Sequence, residues 1–256
     1  MQVKSVCAKT ILLIDVGNTK IKWCYSTHEN SSETHSLLHK KSWLNVVEAI
    51  VSTVPSNEAP SALFVASVLA DENATLLALL EDRFGVPVHH YVPQKEEFGF
   101  KGCYADQLKL GVDRWLAILE AWCVSGASIV IDCGSAITVD VASEDGRHLG
   151  GYIVPGVEMQ IKALYAGTSQ VKVERGDLSS LELGEDTVSA VRNGVLRMVV
   201  AFLAGTIVDV KNKVPSPTIY LIGGDAEMLS RYLPFEVVLG RPLVLDGLMR
   251  VAHKNT

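Results

Sequence analysis

Apolar residues follow two rhythms along this chain. Short unbroken or alternating runs predict strands over 11–14, 20–25, 62–68, 88–92, 128–131, 137–141, 218–222 and 236–239. Spacing of three and four predicts helices over 43–54, 71–84, 111–124, 187–210, 226–232 and 243–253. The helix over 71–84 opens on an acidic first turn, Asp71 and Glu72. In 111–124 the apolar stripe is Val112, Trp115, Leu116, Leu119, Trp122 and Cys123, with Asp113 and Arg114 off the stripe in the first turn. Glu144-Asp145-Gly146 reads as a turn before a return strand towards Gly150-Gly151. Residues 96–102 read as a loop, and 28–35 is polar, loop-like and a weak candidate for disorder.

One unit recurs. The strand over 11–14 runs into Asp15-Val16-Gly17-Asn18-Thr19, and the strand over 128–131 runs into Asp132-Cys133-Gly134-Ser135-Ala136. Each is followed by a second strand. An internal repeat of this kind predicts two related α/β lobes, 1–117 and 118–256, with mixed rather than purely parallel sheets.

Composition narrows the function classes. A chain of 256 residues buries roughly 70–75% of its unfolded surface, so it needs no disulfide or metal staple. Its formal net charge is −6 and no Lys/Arg run exceeds Lys40-Lys41, which argues against a nucleic-acid surface. The five cysteines (Cys7, Cys24, Cys103, Cys123 and Cys133) show no metal or disulfide spacing and fit a reducing compartment. Residues 1–10 lack the apolar core of a signal peptide. The apolar stretch over 194–208 is interrupted by Arg197 and is shorter than a bilayer span. The expectation is a cytoplasmic protein.

Asp15 at a strand end can hold Mg²⁺ or its waters, while Gly17 lets the backbone approach a phosphate and Asn18 and Thr19 add donors. Alone, these residues also make an ordinary hairpin turn. The second copy, around Asp132, shifts the balance. Two such turns facing each other grip a polyphosphate, and two opposed carboxylates call for a cation between them. Gly223-Gly224-Asp225 ends a later strand where bare backbone suits a nucleotide. In Gly111-Val112-Asp113-Arg114, the Arg suits an anionic group and the Asp a hydroxyl; the alternative is an acidic helix start worth under about 1 kcal/mol.

Five segments then share order and spacing with one family. Asp15-x-Gly17-Asn18-Thr19, Gly111-x-Asp113-Arg114, Asp132-x-Gly134-Ser135-Ala136, Gly150-Gly151-x-Ile153-x-Pro155-Gly156 and Gly223-Gly224 resemble the type III pantothenate kinases over nearly the whole chain. The resemblance implies two duplicated RNase-H-like lobes of the actin-like ATPase fold and ATP-dependent phosphorylation of pantothenate. It also implies Mg²⁺, a monovalent cation (K⁺ or NH₄⁺) and a homodimer. It places Asp15, Val16, Gly17, Asn18, Thr19, Lys20, Ile21 and Lys22 around the ATP phosphates, with Asp15 near Mg²⁺. Ser135, Gly223 and Gly224 join the nucleotide site, and Asp132 is the monovalent-cation ligand. Asp113 is the catalytic base. Tyr104, Gly111, Val112, Asp113, Arg114 and Thr187 line the pantothenate pocket. Three positions depart from the family's usual residue: Ser135 stands for a threonine, Asp106 for a proline, and Lys20 for a small or hydroxylated residue.

Other polar residues read as structural. His89, His90, His148 and His253 lack ligand spacing, Cys133 reads as a buried filler, and Trp115 and Trp122 as core; Asp140 and Asp225 lie where they can approach a nucleotide. Two rivals remain: a nucleotide-binding accessory factor for gene regulation without turnover, and another actin-like kinase or phosphohydrolase.

Overall fold

A computed structural model describes residues 10–26, 32–38, 42–54, 59–69, 73–166 and 180–254. Residues 1–10 apart from Thr10, residues 28–31, Lys40, Lys41, Asp71 and Glu72 of the readings above lie outside this set.

The chain divides into two compact units. The first takes the described parts of Met1–Lys95, Tyr104–Glu120 and Pro242–Thr256; the second takes Glu96–Cys103 and Ala121–Arg241.

In the first unit, β1 (Ile11–Val16) is buried at every position. It is a central strand, antiparallel to β2 (Lys20–Ser26) and parallel to β4 (Ala62–Ser67). With β3 (His35–Leu38) and β5 (Val88–His90) the sheet order is β3-β2-β1-β4-β5. Leu12, Ile14 and Val16 share a core with Val46, Val47 and Ile50 of α1 (Trp43–Ser52) and Leu76 and Leu80 of α2 (Asn73–Phe84). The closing helix α7 (Leu243–Lys254) also packs on β1, β2 and β4. Its Arg250 makes two hydrogen bonds, 2.6 and 3.0 Å, to the buried Glu120 of α3 (Val112–Ser125).

The second unit repeats that plan. Strands β8 (Ser128–Cys133), β9 (Ala136–Ala142), β10 (His148–Pro155), β11 (Thr218–Ile222) and β12 (Val238–Leu239) lie in the order β10-β9-β8-β11-β12. The first three are antiparallel neighbours and the last two join in parallel, as in the first sheet. The expected duplication and mixed sheets are therefore present. Ile129, Ile131, Ile137 and Val139 pack against α4 (Val157–Ala166), α5 (Thr187–Lys211) and α6 (Ala226–Ser230).

Several details differ from the expectations. The presumed loop over 96–102 contains a small hairpin, β6 (Glu96–Glu97) with β7 (Phe100–Lys101), turned by Phe98 and Gly99 at positive φ. Helix α5 has 25 residues, so its length and composition reach those of a membrane span, unlike the shorter stretch read from the sequence. Its Leu196, Val199, Leu203 and Ile207 belong to the core of the second unit. Trp115 is fully buried, but Trp122 is only half-buried and stacks on Phe100 at 5.3 Å.

Candidate active site

Asp15 is the fifth residue of β1, 7% exposed, and stands opposite Lys22 on β2 and Ala66 on β4. The turn that follows is closed by the Gly17 N–H, which donates to the Lys20 carbonyl at 3.0 Å. A Cβ on Gly17 would stand 3.1 Å from that same oxygen, so a side chain there would push the turn open by a few tenths of an ångström. Val16 and Ile21 are buried at the base while Asn18, Thr19 and Lys20 are exposed. Two apolar anchors thus hold out a short loop of backbone and polar side chains.

Elsewhere in this unit Gly111 precedes the first turn of α3. The Asp113 carboxylate folds back over that turn, where its Oδ1 accepts from the Arg114 N–H at 2.8 Å. A Cβ at position 111 would come within 2.6 Å of the same oxygen. Glycine is therefore what leaves room for this carboxylate orientation. Arg114, 7% exposed, donates from Nη1 to the Tyr104 hydroxyl at 3.2 Å, and Lys95 Nζ donates to the Tyr104 carbonyl at 2.6 Å. Tyr104, Gly111, Asp113 and Arg114 are thereby brought together, and the buried Val112 anchors the helix start.

In the second unit Asp132 is the fifth residue of β8, the position Asp15 has in β1. It stands opposite Thr138 on β9 and Ile222 on β11. The turn after it is closed by the Gly134 N–H donating to the Ala136 carbonyl at 3.1 Å. Gly156 donates to the Ser135 carbonyl at 2.9 Å, and a Cβ there would meet that oxygen at 2.6 Å. From the other side Gly223, at φ +95°, lies against Asp132 Oδ1 and the Cys133 backbone. Ser135 is exposed, and a Cβ on Gly224 would meet nothing within 4 Å. Asp132, Ser135, Gly223 and Gly224 thus form one bare-backbone platform with a carboxylate and a hydroxyl on it.

Among the described residues, no group of three or more His, Cys, Asp or Glu side chains gathers as a metal cage. Single carboxylates at strand ends beside open turns suit a cation that keeps most of its ligands as water and phosphate oxygens, which is how Mg²⁺ is commonly held. Asp15 has that chemistry, and Asp132 is likewise a single strand-end carboxylate beside an open turn.

Thr187 opens α5. The preceding Asp186 caps the helix, accepting from the Ser189 N–H at 2.8 Å while its own N–H donates to Ser189 Oγ at 3.2 Å. The Ser189 N–H, and then the Ser189 side chain, hold the Asp186 carboxyl below its ordinary value. Thr187 lines a groove of about 770 Å³ with Leu164, Val191 and Met198; Asp132, Ser135, Gly223 and Gly224 are not part of it.

Cys133 is fully buried, and burial first, then the Asp132 and Asp225 carboxylates, push its thiol well above the ordinary value. It is a filler, as its sequence context implies. Asp140 is 2% exposed and bonded to His148, an arrangement the sequence reading did not foresee.

The family model described as "Type III pantothenate kinase" matches residues 11–209. A protein of that name from Alcanivorax borkumensis is 40% identical over 251 residues, covering 96% of this chain and 99% of the relative. Among solved structures, a protein of the Baf transcriptional-activator family from Campylobacter jejuni superposes with TM-score 0.58 at 19% identity, over 95% of this chain and 98% of that one. The ROK hexokinase from Thermus thermophilus gives TM-score 0.50 at 15% identity, over 96% of this chain and 100% of that one. At such identities the two structures establish the fold and no more. The fold is that of the actin-like ATPases and sugar kinases.

Proposed function

The chain belongs to the type III pantothenate kinase family and is an ATP-dependent pantothenate kinase, catalysing the first step of coenzyme A biosynthesis; we propose the following division of that work among its residues. The observation that carries it is the Asp113 carboxylate, folded back over the α3 N-terminus and held there by the Arg114 N–H.

Phosphoryl transfer needs positioning and charge neutralisation more than covalent help. Asp113 accepts the proton of the pantothenate primary hydroxyl as that oxygen attacks the γ-phosphorus in line. The helix N-terminus favours the negative charge this base must carry. Arg114, Tyr104, Gly111, Val112 and Thr187 hold the substrate, with the guanidinium suited to an anionic group. Asp15 through Lys22 cradle the ATP phosphates with loop backbone and polar side chains, and Ser135, Gly223 and Gly224 bind the nucleotide from the second unit. Asp15 would hold Mg²⁺ and Asp132 a monovalent cation, K⁺ or NH₄⁺; bound there, the cations supply charge neutralisation to the phosphate oxygens. As part of the same proposal the protein is a cytoplasmic homodimer, and its net charge of −6 argues against a nucleic-acid partner.

The regulator reading gains nothing from the Baf-family structure, whose 19% identity speaks to the fold alone. A coupled ADP-release assay with pantothenate and Mg·ATP in K⁺ or Na⁺ tests the division. Turnover that needs pantothenate and rises with K⁺ supports it. Equal rates in both salts would remove the monovalent cation from Asp132, and no turnover from folded, ATP-binding protein would favour the regulator.

A further inference from the structure

We propose that Cys103, His148 and Asp140 form a proton relay that makes Cys103 a reactive thiol, a modification site for small-molecule disulfides. All three belong to the second unit. Cys103 is exposed, and its Sγ lies 3.4 Å from His148 Nδ1. On the other side of the ring, His148 Nε2 lies 2.9 Å from Asp140 Oδ1. The His148 side chain is 0% exposed and that of Asp140 3%.

The order of these groups fixes the proton. A carboxylate only accepts, so Nε2 carries a hydrogen, and an Nδ1 without one offers its lone pair towards sulfur. Nucleophile, base and orienting carboxylate thus stand in sequence, the arrangement that activates a weak nucleophile. The backbone is built for it. The β9–β10 register slips between His148 and Gly150, with Gly150 at φ +104°, and such a bulge re-aims a side chain. A Cβ on Gly151 would strike the Val139 carbonyl and also come within 2.9 Å of Asp140 Oδ1, so the strand passes close to the carboxylate only as glycine. Phe100, fully buried, lies beside the imidazole at 6.4 Å between centroids. The three side chains do not converge on a point as metal ligands would, since each imidazole nitrogen faces a different partner.

Two other described thiols are buried. Cys24 is buried and pushed up to about 12, by burial and then by Asp246, and Cys133 is pushed up as described. Cys123 is half-buried and serves as an internal reference.

The chemistry is thiol–disulfide exchange. The Cys103 proton passes to His148 Nδ1, and the thiolate attacks one sulfur of the incoming disulfide. The new S–S bond forms as the old one breaks; the departing sulfur leaves with the electron pair and takes the proton from His148. Cys103 is oxidised and the leaving sulfur reduced, so the disulfide itself is the oxidant.

The test uses the full chain, glutathione disulfide at pH 7, and peptide mass mapping over time. In the wild type, Cys103 is expected to form the mixed disulfide at least about 10-fold faster than Cys123, and His148→Gln to slow Cys103 by about 10-fold without changing Cys123. Equal rates at Cys103 and Cys123 in the wild type would overturn the proposal. So would an unchanged Cys103 rate in folded His148→Gln protein. The wild-type comparison decides alone should the variant not fold.

Discussion

Gly223 stands against Asp132 so closely that a single added methyl group would overlap the carboxylate oxygen and come within 2.6 Å of the Cys133 carbonyl. The residue also holds φ +95°, which side-chain-bearing residues rarely adopt. The end of β11 is thereby pressed onto the turn after β8, and the Asp132 carboxylate keeps one orientation. Gly223→Ala must move that turn, and a shift of ~1 Å costs about 10²-fold where geometry is catalytic. The expected outcome is a fall in ADP release of at least about 10-fold in protein with native circular dichroism. Wild-type turnover would mean that the contact has no bearing on the nucleotide site.

Tyr104 and Arg114 offer a milder test. Removing the hydroxyl deletes the 3.2 Å bond from Arg114 Nη1, a contact worth roughly 0.5–1.5 kcal/mol. Tyr104→Phe is expected to raise KM for pantothenate by about 2- to 10-fold, with kcat nearly unchanged. A loss confined to kcat would place Tyr104 in the chemical step instead.

Arg250 and Glu120 tie the closing helix to α3. Glu120 is 4% exposed, while the Arg250 side chain keeps 34% of its surface in water. Arg250→Ala leaves a buried carboxylate without its cation, and solvent on the arginine side discounts the cost to about 2–3 kcal/mol. Thermal unfolding should show a clear fall in Tm. A Tm within a degree of wild type would show that Glu120 finds water or another partner.

The exposed face of the long apolar helix α5 is the candidate homodimer contact. Val199 is 2% exposed and sits in the core, so Val199→Glu would test folding and not assembly. Its neighbour Met198 is 56% exposed beside the groove that holds Thr187. Met198→Glu is expected to yield folded monomer by analytical ultracentrifugation. An unchanged dimer would move the interface off α5.

The duplicated strand–Asp-x-Gly–strand unit was legible because both copies are local: an apolar run, a carboxylate and a glycine within nine residues. The sequence also marked Gly111, Asp113 and Arg114, though not what a Cβ at position 111 would disturb, since the carboxylate it would meet is two residues on and folded back. Helix α4 went unread although Val157, Ile161 and Tyr165 recur every fourth residue, because the Gly-Gly and Pro-Gly pairs before it are residues that interrupt a periodic pattern. Strand β3 is a short edge of four residues, half of them exposed, and its pattern is too brief to stand out. The His148–Asp140 bond depends on a register slip and a packing distance, and no spacing along the chain encodes either.

The most direct test of the account is the rate of ADP release by Asp113→Asn with saturating pantothenate and Mg·ATP, alongside its affinity for ATP. The substitution keeps the shape and an oxygen for the Arg114 N–H but removes the proton acceptor. A general base at Asp113 means a kcat lower by about 10²–10⁴ with ATP affinity unchanged. A kcat within a few-fold of wild type would contradict it and take the base away from Asp113.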